Sequence, residues 1–477
     1  MYINGKWIET ERVLKVTNPA NGELVDTVYL VGREETERAI EAAKHAFPSW
    51  SALTGEQRGA YLHKVVDLLE KKQEQLAQTI TKEMGKAIHN ARYEVGSTIA
   101  FFKWYAEEAR RVYGDIVPAS APNKRISVLK QPIGVVGAIT PWNFPLSMGA
   151  RKLGPALAVG CTVVFRPSRE APLSTLELFR IFDEAGLPEG VVNLVIGDSS
   201  EVVGALMESE VVRKISFTGS TEVGKKLIRQ SADTVKRVSM ELGGHAPFIV
   251  FEDADIDLAI EGTISSKFAS GGQQCVCANR IYVHDSIYEE FSRRFADKVS
   301  SMVVGNGLDE KTQIGPLVNQ NAVNKSYEHV TDAVHKGAAI LCGGKPLTDG
   351  EFKNGYYFSP TVLVDVNDEM KITYEETFGP VAPIIRFSTE EEVIQKANNT
   401  EYGLASYFYT NDLSRTHRVS ERLEYGMVGV NDPAPFVVQA PFGGVKESGL
   451  GREGGKYGLE DYLETKLVSV AIRKSSN

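Results

Sequence analysis

Hydrophobic residues recur at helical spacing early in the chain. Over residues 59–80, "GAYLHKVVDLLEKKQEQLAQTI", the apolar positions fall on one helical face with charges opposite. They are Leu62, Val65, Val66, Leu69, Leu76 and Ile80. We therefore expect a single surface helix with one buried stripe. A second helix is expected over residues 98–114, with Gly114 closing it.

From about residue 133 short apolar, β-branched runs alternate with helical segments. The runs are "GVVGAIT", "CTVVFRP", "VVNLVIG", "RKISFTG" and "RVSMEL". This alternation predicts right-handed βαβ crossovers, a parallel sheet and a nucleotide site at the carboxyl ends of its strands. The predicted fold class is α/β, with a Rossmann-like cofactor domain.

A second series of predicted strands follows, and it indicates a second α/β domain. The strands are "NRIYVHD", "AAILCGG", "TVLVDV", "APIIRF" and "GMVGVN". Two isolated alternating segments, one after Tyr113 and one at the C-terminal end, predict a small β platform of the kind often used in subunit contacts.

Composition excludes several classes of protein. Among 477 residues, Lys and Arg total 53 against 62 for Asp and Glu, a net charge of -9, so nucleic acid is not an expected partner. No basic leader and no apolar run of membrane-spanning length are present, so we expect a cytoplasmic protein without a membrane partner. Four cysteines in so long a chain do not make a disulfide scaffold.

Three loops carry candidate chemistry. "FTGSTEVG" places Gly219 and Gly224 at a strand-to-helix turn, where free N–H groups suit a phosphate, although a tight turn that needs glycine only for its backbone freedom would have the same sequence. "PWNFP" holds Asn143 between prolines and aromatics, either as a rigid amide facing a pocket or as a packing corner. "MELGG" leaves Glu241 at a strand end beside bare backbone, where a lone Glu is usually just solvated.

The stretch "ASGGQQCVCANR" contains two cysteines one residue apart. Neither a second cysteine pair nor a histidine at ligand spacing lies nearby, so no metal site is expected. In an extended conformation Cys275 and Cys277 would share one face, so position alone does not separate their roles. A nucleophilic thiol needs access and a lowered pKa, which glycines and exposed N–H donors would favour.

Six motifs, in this order and at these separations, resemble the aldehyde dehydrogenase superfamily over essentially the whole chain. They are "TPWNFP", "FTGSTEVG", "ELGGHAP", "GGQQCVCANR", "EETFGP" and "PFGGVKESGLGREGG". Within it, "CVCANR", "VRKISFTGSTEVGKKL" and "SGLGREGGKYGLEDYLETK" are most similar to the succinate-semialdehyde dehydrogenase group.

The resemblance implies a division of the chain into domains. A cofactor domain would span residues 1–113 and 133–244, with 444–461 returning to it, and a catalytic domain would span 245–443. Residues 114–132 and 462–477 would form the oligomerisation element of a homodimer or homotetramer.

The resemblance also implies residue roles. Cys275 would attack the aldehyde, Asn143 and the Cys275 N–H would hold the oxyanion, and Glu241 would activate the water that hydrolyses the thioester. The implied cofactor is NADP or NAD, contacted by Thr140, Trp142, Arg166, Ser168, Arg169, Gly219, Ser220, Leu242, Glu376 and Phe378. The implied substrate contacts are Arg151, Gln274 and Phe436.

Departures from the family pattern affect cofactor choice. Arg166 replaces a usual Lys, and Arg169 stands where NAD-preferring members often have an acidic residue. A guanidinium suits a 2′-phosphate, so NADP is favoured, unless Arg169 points into solvent.

Further departures affect the substrate. Ala269 stands where the group commonly has one carboxylate-binding arginine, whereas Arg151 matches the group's second carboxylate-binding arginine. Phe436 replaces a frequent serine, and Gln274 stands where Thr or Val is usual and would narrow the tunnel or donate a hydrogen bond. His245 replaces Asn and is expected to be a hydrogen-bonded packing residue.

Several functional alternatives stay open. The first expectation is oxidation of succinate semialdehyde or a related aliphatic semialdehyde; a less charged hydroxyaldehyde or an aromatic aldehyde is the second. Thiolysis by CoA is disfavoured by Glu241, and a non-catalytic relative by the presence of Cys275 and Asn143. Cys277 would either form a reversible disulfide with Cys275 or serve as a small buried hydrophobe.

Overall fold

The computed structural model describes residues 1–473, so residues 474–477 of the predicted oligomerisation element lie outside the described part. The helices are α1 Arg33–Ala52, α2 Gly55–Lys71, α3 Gln73–Met84, α4 Ile88–Glu108, α5 Ser147–Val159, α6 Leu173–Glu184, α7 Ser199–Glu208, α8 Thr221–Ser231, α9 Ile256–Phe268, α10 Tyr288–Ser300, α11 Gln320–His335, α12 Glu390–Asn398, α13 Leu413–Arg422 and α14 Tyr457–Glu460. No helix in residues 1–473 is both long and apolar enough to span a membrane.

Within residues 1–473, the strands form two large sheets and three small ones. They are β1 Tyr2–Ile3, β2 Lys6–Trp7, β3 Val13–Thr17, β4 Leu24–Tyr29, β5 Asp115–Val117, β6 Lys124–Pro132, β7 Val135–Ile139, β8 Thr162–Arg166, β9 Val192–Leu194, β10 Val212–Thr218, β11 Arg237–Glu241, β12 Ala246–Val250, β13 Ala278–His284, β14 Ala339–Cys342, β15 Pro346–Leu347, β16 Tyr357–Phe358, β17 Thr361–Val364, β18 Val381–Phe387, β19 Ala405–Tyr409, β20 Met427–Val430, β21 Gly449–Leu450 and β22 Leu463–Ala471.

The first sheet has the predicted Rossmann-like centre. Its order is β2-β1-β9-β8-β7-β10-β11-β21, and the strands from β9 to β11 are parallel. All five strands expected in this part of the sequence are present. In the register, Ile139 pairs with Arg166 and Thr218 pairs with Glu241, so these strands end at one common edge of the sheet.

The second sheet has the order β14-β17-β18-β13-β12-β19-β20 and confirms the second α/β unit. Alternate residues of its strands face two separate hydrophobic clusters, as Phe248 and Ile249 of β12 do. β19 is not among the strands expected from the sequence, although all its residues are buried. Its sequence, "ASYFY", is neither a β-branched aliphatic run like those of β7 and β8 nor a clear alternation of apolar and polar residues, so it lacks both signals.

The small β platform has the pairing expected from its sequence. β22 pairs antiparallel with β6 from Leu463–Pro132 to Ala471–Lys124, and β5 pairs with the other edge of β6. The platform therefore joins two segments far apart in the chain.

Two helix predictions were wrong in detail. Residues 59–80 do not lie in one helix, because Lys72, with φ -103° and ψ 12°, separates α2 from α3; the six apolar residues are nevertheless buried. Gly114 does not close α4, which ends at Glu108. A Cβ on Gly114 would lie 2.1 Å from the Val128 carbonyl oxygen, so glycine is required there for close approach to β6.

Candidate active site

The common edge of the first sheet brings several predicted residues to one cavity. The cavity has a volume of about 230 Å³ and lies where β7, β10 and β11 end. It is lined by Pro141, Trp142, Asn143, Thr218, Gly219, Ser220, Leu242, Gly243, Cys275, Lys325, Glu376 and Phe378. A larger cleft of about 680 Å³ adjoins it and shares Ser220, Gly243, Lys325 and Glu376. We call the first the inner cavity.

A second cavity, of about 80 Å³, meets the same cysteine from another side. Its lining includes the predicted substrate contacts Arg151, Gln274 and Phe436 together with Cys275. We call it the substrate cavity. Because Cys275 lines both cavities, its thiol lies where groups from the two sides would meet.

The loop that carries Cys275 has an unusual backbone. Ser270, Gly271 and Gly272 have φ of 52°, 66° and 75°, all left-handed. A left-handed serine is uncommon, and such conformations persist where the surrounding structure imposes them. A Cβ on Gly244 would lie 2.1 Å from the Cys275 carbonyl oxygen. Gly244, the second glycine of "ELGG", is therefore required for the segment after β11 to pack closely against the cysteine loop.

The Asn143 side chain points toward the cysteine loop. Its Nδ2 donates to the Gln273 carbonyl oxygen at 3.1 Å, and its Oδ1 has no hydrogen-bond partner within residues 1–473. The second N–H of this amide has no recorded partner in the same range, which leaves a donor beside Cys275. This geometry favours the pocket-facing amide over the packing corner.

The thiol of Cys275 does not have the lowered pKa expected for a nucleophile. Burial, followed by the nearby Glu376 carboxyl, raises the pKa of Cys275 to about 12, while Arg151 acts in the opposite direction. The neutral thiol is therefore favoured in the site as it stands. A positive charge arriving beside it would shift this balance toward the thiolate.

Glu241 is buried at the end of β11 and both its carboxyl oxygens lack partners in the described structure. The solvated strand-end alternative is therefore wrong. Burial, then the charge of Glu453, raises the pKa of Glu241 well above its ordinary value, and Lys152 opposes this. Glu453 Oε1 in turn lies 2.6 Å from Lys152 Nζ in a buried ion pair.

Glu376 and Phe378 lie on one rim of the inner cavity. Glu376 accepts a hydrogen bond from Gly244 N at 3.1 Å, and burial raises the pKa of its carboxyl to about 7. Phe378 has a left-handed φ of 56°, and its ring stands edge-on to Trp142 with centroids 5.6 Å apart. Strain of this kind commonly marks residues held for a ligand.

Gly219 and Ser220 form the turn into α8. The Ser220 hydroxyl caps the helix by accepting from Val223 N, and the turn faces the inner cavity. A Cβ on Gly224 would lie 2.4 Å from Leu242 Cδ2, so this glycine is required for close packing; neither Gly219 nor Gly224 has the positive φ that a need for backbone freedom would produce. The free end of α8 remains suited to a phosphate.

The remaining cofactor candidates lie outside both cavities: Thr140 directly after β7, and Arg166, Ser168 and Arg169 at the end of β8. Arg166 donates to Ser199 Oγ at 3.0 Å and its Nε is buried without a partner in residues 1–473. Ser168 donates to Glu170, and Arg169 forms an ion pair with Asp198. Arg169 is thus neither free in solvent nor free for a ligand.

These features fit a dinucleotide. The cleft, the inner cavity and the α8 N-terminus are continuous through Ser220, and buried polar atoms of Thr140, Arg166 and Thr218 lack partners in the described residues. Buried polar groups are normally satisfied. Thr218, which lines the inner cavity, and Thr140 and Arg166, at the ends of the paired strands β7 and β8, therefore indicate a polar ligand at this edge of the sheet.

Arg151 is the strongest feature of the substrate cavity. Its guanidinium lies between the rings of Phe101 and Phe442, at 4.9 and 4.1 Å from their centroids. Its Nε and Nη1 are buried without partners in residues 1–473. Phe436 packs edge-on to Phe442, and Gln274 Nε2 donates to the Ser266 carbonyl oxygen at 3.2 Å.

Cys277 and His245 lie away from both cavities. Cys277 is fully buried, its sulfur 3.4 Å from Lys267 Nζ, and all four cysteines are free thiols. A regulatory disulfide therefore stays a prediction. His245 is buried as expected, but neither ring nitrogen has a partner in the described chain; burial and Arg280 hold its pKa well below the ordinary value.

Four residues near the site were not predicted. Lys152 and Glu453 flank Glu241, Lys325 lines the inner cavity, and Lys86 donates to the Asn143 carbonyl oxygen at 2.7 Å. Charged residues inside a largely apolar helix, as Lys152 is beside Arg151 in α5, were the signal available in the sequence.

Comparisons with known proteins agree with this geometry. Residues 7–468 match the profile described as "Aldehyde dehydrogenase family". The chain is 52% identical to glutarate-semialdehyde dehydrogenase of Pseudomonas putida over 99% of this chain and 97% of that one. It is 50% identical to succinate-semialdehyde dehydrogenase [NADP(+)] of Escherichia coli over 98% and 97%. A crystal structure of succinate-semialdehyde dehydrogenase from Burkholderia pseudomallei superposes with a TM-score of 0.97 at 47% identity, covering 99% and 97%.

Proposed function

The chain belongs to the aldehyde dehydrogenase family and is an NAD(P)-dependent oxidoreductase, and on that premise we propose that its substrate is a short aliphatic semialdehyde. The observation that carries this proposal is Arg151, a buried guanidinium with unpartnered donors in the cavity that ends at Cys275. A buried cation without an acceptor is costly, and a substrate carboxylate would satisfy it. The names of the semialdehyde dehydrogenases that the chain resembles support the same choice.

The proposed chemistry begins at Cys275. Its thiolate would add to the aldehyde carbonyl, while the free N–H of Asn143 and the Cys275 backbone N–H would donate to the resulting oxyanion. NAD(P)+ supplies the hydride acceptor, which leaves a thioester on Cys275. The aromatic walls of the substrate cavity would exclude water from its far end.

Glu241 would complete the reaction as a general base. Its two carboxyl oxygens have no competing partner in residues 1–473, so they remain available to accept a proton from water. Attack of that water on the thioester carbon releases the carboxylic acid and returns the thiol of Cys275. This base also makes hydrolysis the favoured route over thiolysis by CoA.

We propose that residues 1–113, 133–244 and 444–461 bind the cofactor and that 245–443 carry the nucleophile. Pairing of β21 with β11 supports the return of the later segment to the first sheet.

The experiment that tests the substrate proposal compares matched aldehydes. Succinate and glutarate semialdehyde should be preferred over butanal and pentanal, which carry a methyl group in place of the carboxylate, and over hydroxyaldehydes and benzaldehyde. In Arg151→Met, kcat/KM for the semialdehydes should fall about 100-fold, because a desolvated charge pair is lost, while butanal changes less than about threefold. The measurement is initial-rate formation of reduced cofactor.

Two outcomes would contradict the substrate proposal. One is a wild-type enzyme that prefers butanal or benzaldehyde to both semialdehydes. The other is an Arg151→Met variant that loses activity equally with charged and uncharged aldehydes, since Arg151 would then have a general structural role.

For the cofactor, we propose that NADP is used at least as well as NAD, with Asp198 limiting the preference. Asp198 is ion-paired with Arg169 and also with Arg12, at 2.6 Å from the latter. Its carboxylate therefore competes with a 2′-phosphate for the Arg169 guanidinium.

Asp198→Asn should raise the preference for NADP. Removing this exposed carboxylate frees Arg169, so the ratio of Kd for NAD to Kd for NADP should rise about fivefold, within the range of surface ion pairs. The measurement is calorimetric titration with each cofactor. Glu201→Gln is the matched control, because Glu201 pairs with Arg12 but not with Arg169. Equal weakening of both cofactors by Asp198→Asn would count against the assignment.

For the assembly, we propose a homodimer or homotetramer joined through the β platform. Ile116, Leu467 and Val470 on it are 92%, 66% and 52% exposed, an apolar surface of the kind that marks interfaces. Light scattering should give two or four chains per particle, and Leu467→Asp should lower that number. A wild-type monomer would contradict this proposal. The cytoplasmic location stays a prediction.

A further inference from the structure

A buried ion pair lies beneath the loop that carries Asn143. Lys86, in the turn after α3, and Glu94, in α4, have their Nζ and Oε2 atoms 2.7 Å apart, and both side chains have 0% exposure. Neither residue belongs to the motifs that carry the family resemblance. Burying two charges is expensive and often contributes nothing to stability. Their placement therefore calls for an explanation other than stability.

Each member of the pair binds the backbone of the same loop. Lys86 Nζ donates to the Asn143 carbonyl oxygen at 2.7 Å and lies 3.8 Å from the centroid of the Phe144 ring. Glu94 Oε1 accepts from Leu146 N at 2.8 Å and from Ser147 N at 3.2 Å. The pair thus binds both ends of residues 143–147: Lys86 binds the carbonyl group of the first residue, and Glu94 binds the N–H groups of the last two.

Both ends of this loop lead to groups of the proposed site. Asn143 begins the loop and directs its amide toward the cysteine loop through Gln273. α5 begins at Ser147, where Glu94 binds its first free N–H groups, and carries Arg151 one turn later. A shift of the loop would therefore move the amide donor and the guanidinium together.

We propose that Lys86 and Glu94 are positioning residues that fix the Asn143 amide and the start of α5 relative to Cys275. The inference rests on the proposed function. Neither side chain is assigned contact with the reacting atoms; they act through the backbone of residues 143–147. Misplacement of a catalytic group by a fraction of an ångström is costly, so their effect should appear in turnover.

The test uses Glu94→Gln, which keeps the shape and removes the charge that holds Lys86. We expect kcat to fall about 10- to 100-fold with butanal, which needs Asn143 but not Arg151. With a semialdehyde, KM should rise as well, because Arg151 is displaced. Lys86→Met removes the other partner and should produce the same loss of kcat.

A matched control is available in Asp253→Asn. Asp253 also pairs with a cation, Arg415 at 2.7 Å, and also accepts from a backbone N–H, that of Asn411 at 2.8 Å. Because Asp253, Asn411 and Arg415 line neither the inner cavity nor the substrate cavity, this variant should retain kcat within about threefold. Thermal unfolding of all the variants separates loss of stability from loss of turnover.

A double-mutant cycle distinguishes positioning from a general structural role. Asn143→Ala alone should lower kcat about 100-fold, as loss of an oxyanion donor does. If Glu94 acts through Asn143, adding Glu94→Gln to Asn143→Ala should cost less than about threefold more with butanal.

Fully additive losses, a Glu94→Gln variant no different from Asp253→Asn, or failure of both pair variants to fold while Asp253→Asn folds would each overturn the inference. A wild-type chain that oxidises no aldehyde would instead contradict the proposed function.

Discussion

Cys275→Ser is expected to abolish aldehyde oxidation, lowering kcat by roughly 10⁴-fold or more, because loss of a nucleophile removes the covalent route entirely. Serine keeps the size of the side chain, so the fold should be unchanged. The measurement is steady-state formation of reduced cofactor, with binding of NADPH as the check that the site persists.

The chain supplies a matched control for this variant two residues away. Cys277 is fully buried against Lys267 and lines neither cavity, so Cys277→Ser should retain most of the activity. Comparable loss in both variants, or activity remaining in Cys275→Ser, would show that the nucleophile has been assigned wrongly.

Glu241→Gln is expected to separate the two halves of the reaction. Turnover should fall about 10²- to 10⁴-fold, the usual contribution of a general base, while the first equivalent of reduced cofactor still forms. Stopped-flow measurement should therefore show a burst of about one equivalent of reduced cofactor per chain, followed by very slow steady-state turnover.

The pH dependence gives a second signature of the same residue. Glu241 acts as a base only when deprotonated, and its burial near Glu453 raises its pKa. Hydrolysis in the wild type should therefore increase as the pH rises through that raised pKa and should be slow below it. Loss of the burst together with turnover would contradict the role, because Glu241 would then be needed before the thioester forms.

The sequence predicted the parts of the structure that depend on local pattern. The parallel strands β7 to β11 and the platform pairing of β6 with β22 came from apolar runs and alternation, which report directly which faces are buried. The break at Lys72 between α2 and α3 and the buried strand β19 left no such signal. Tertiary packing determines both.

The site residues that the sequence predicted are those in the motifs that resemble the family. Asn143, Gly219, Glu376 and Cys275 come from four distant segments and line one cavity. The raised pKa of the Cys275 thiol was not predicted, because it arises from burial and from the carboxyl of Glu376 across the fold.

The charge partners of the site were missed for the same reason. Lys86 with Glu94 and Lys152 with Glu453 pair residues separated by 8 and 301 positions, respectively. Arg169 forms its ion pair with Asp198, which lies on a different loop. A single sequence shows which charges exist but not which of them meet.

Locating the acyl group is the most direct test of the proposed reaction. Glu241→Gln would be mixed with succinate semialdehyde and NADP+, quenched in acid, digested and sequenced by mass spectrometry. A succinyl group on Cys275, formed with one equivalent of NADPH, is the predicted result. A succinyl group on Cys277, or reduction of the cofactor with no acyl group on either cysteine, would contradict it.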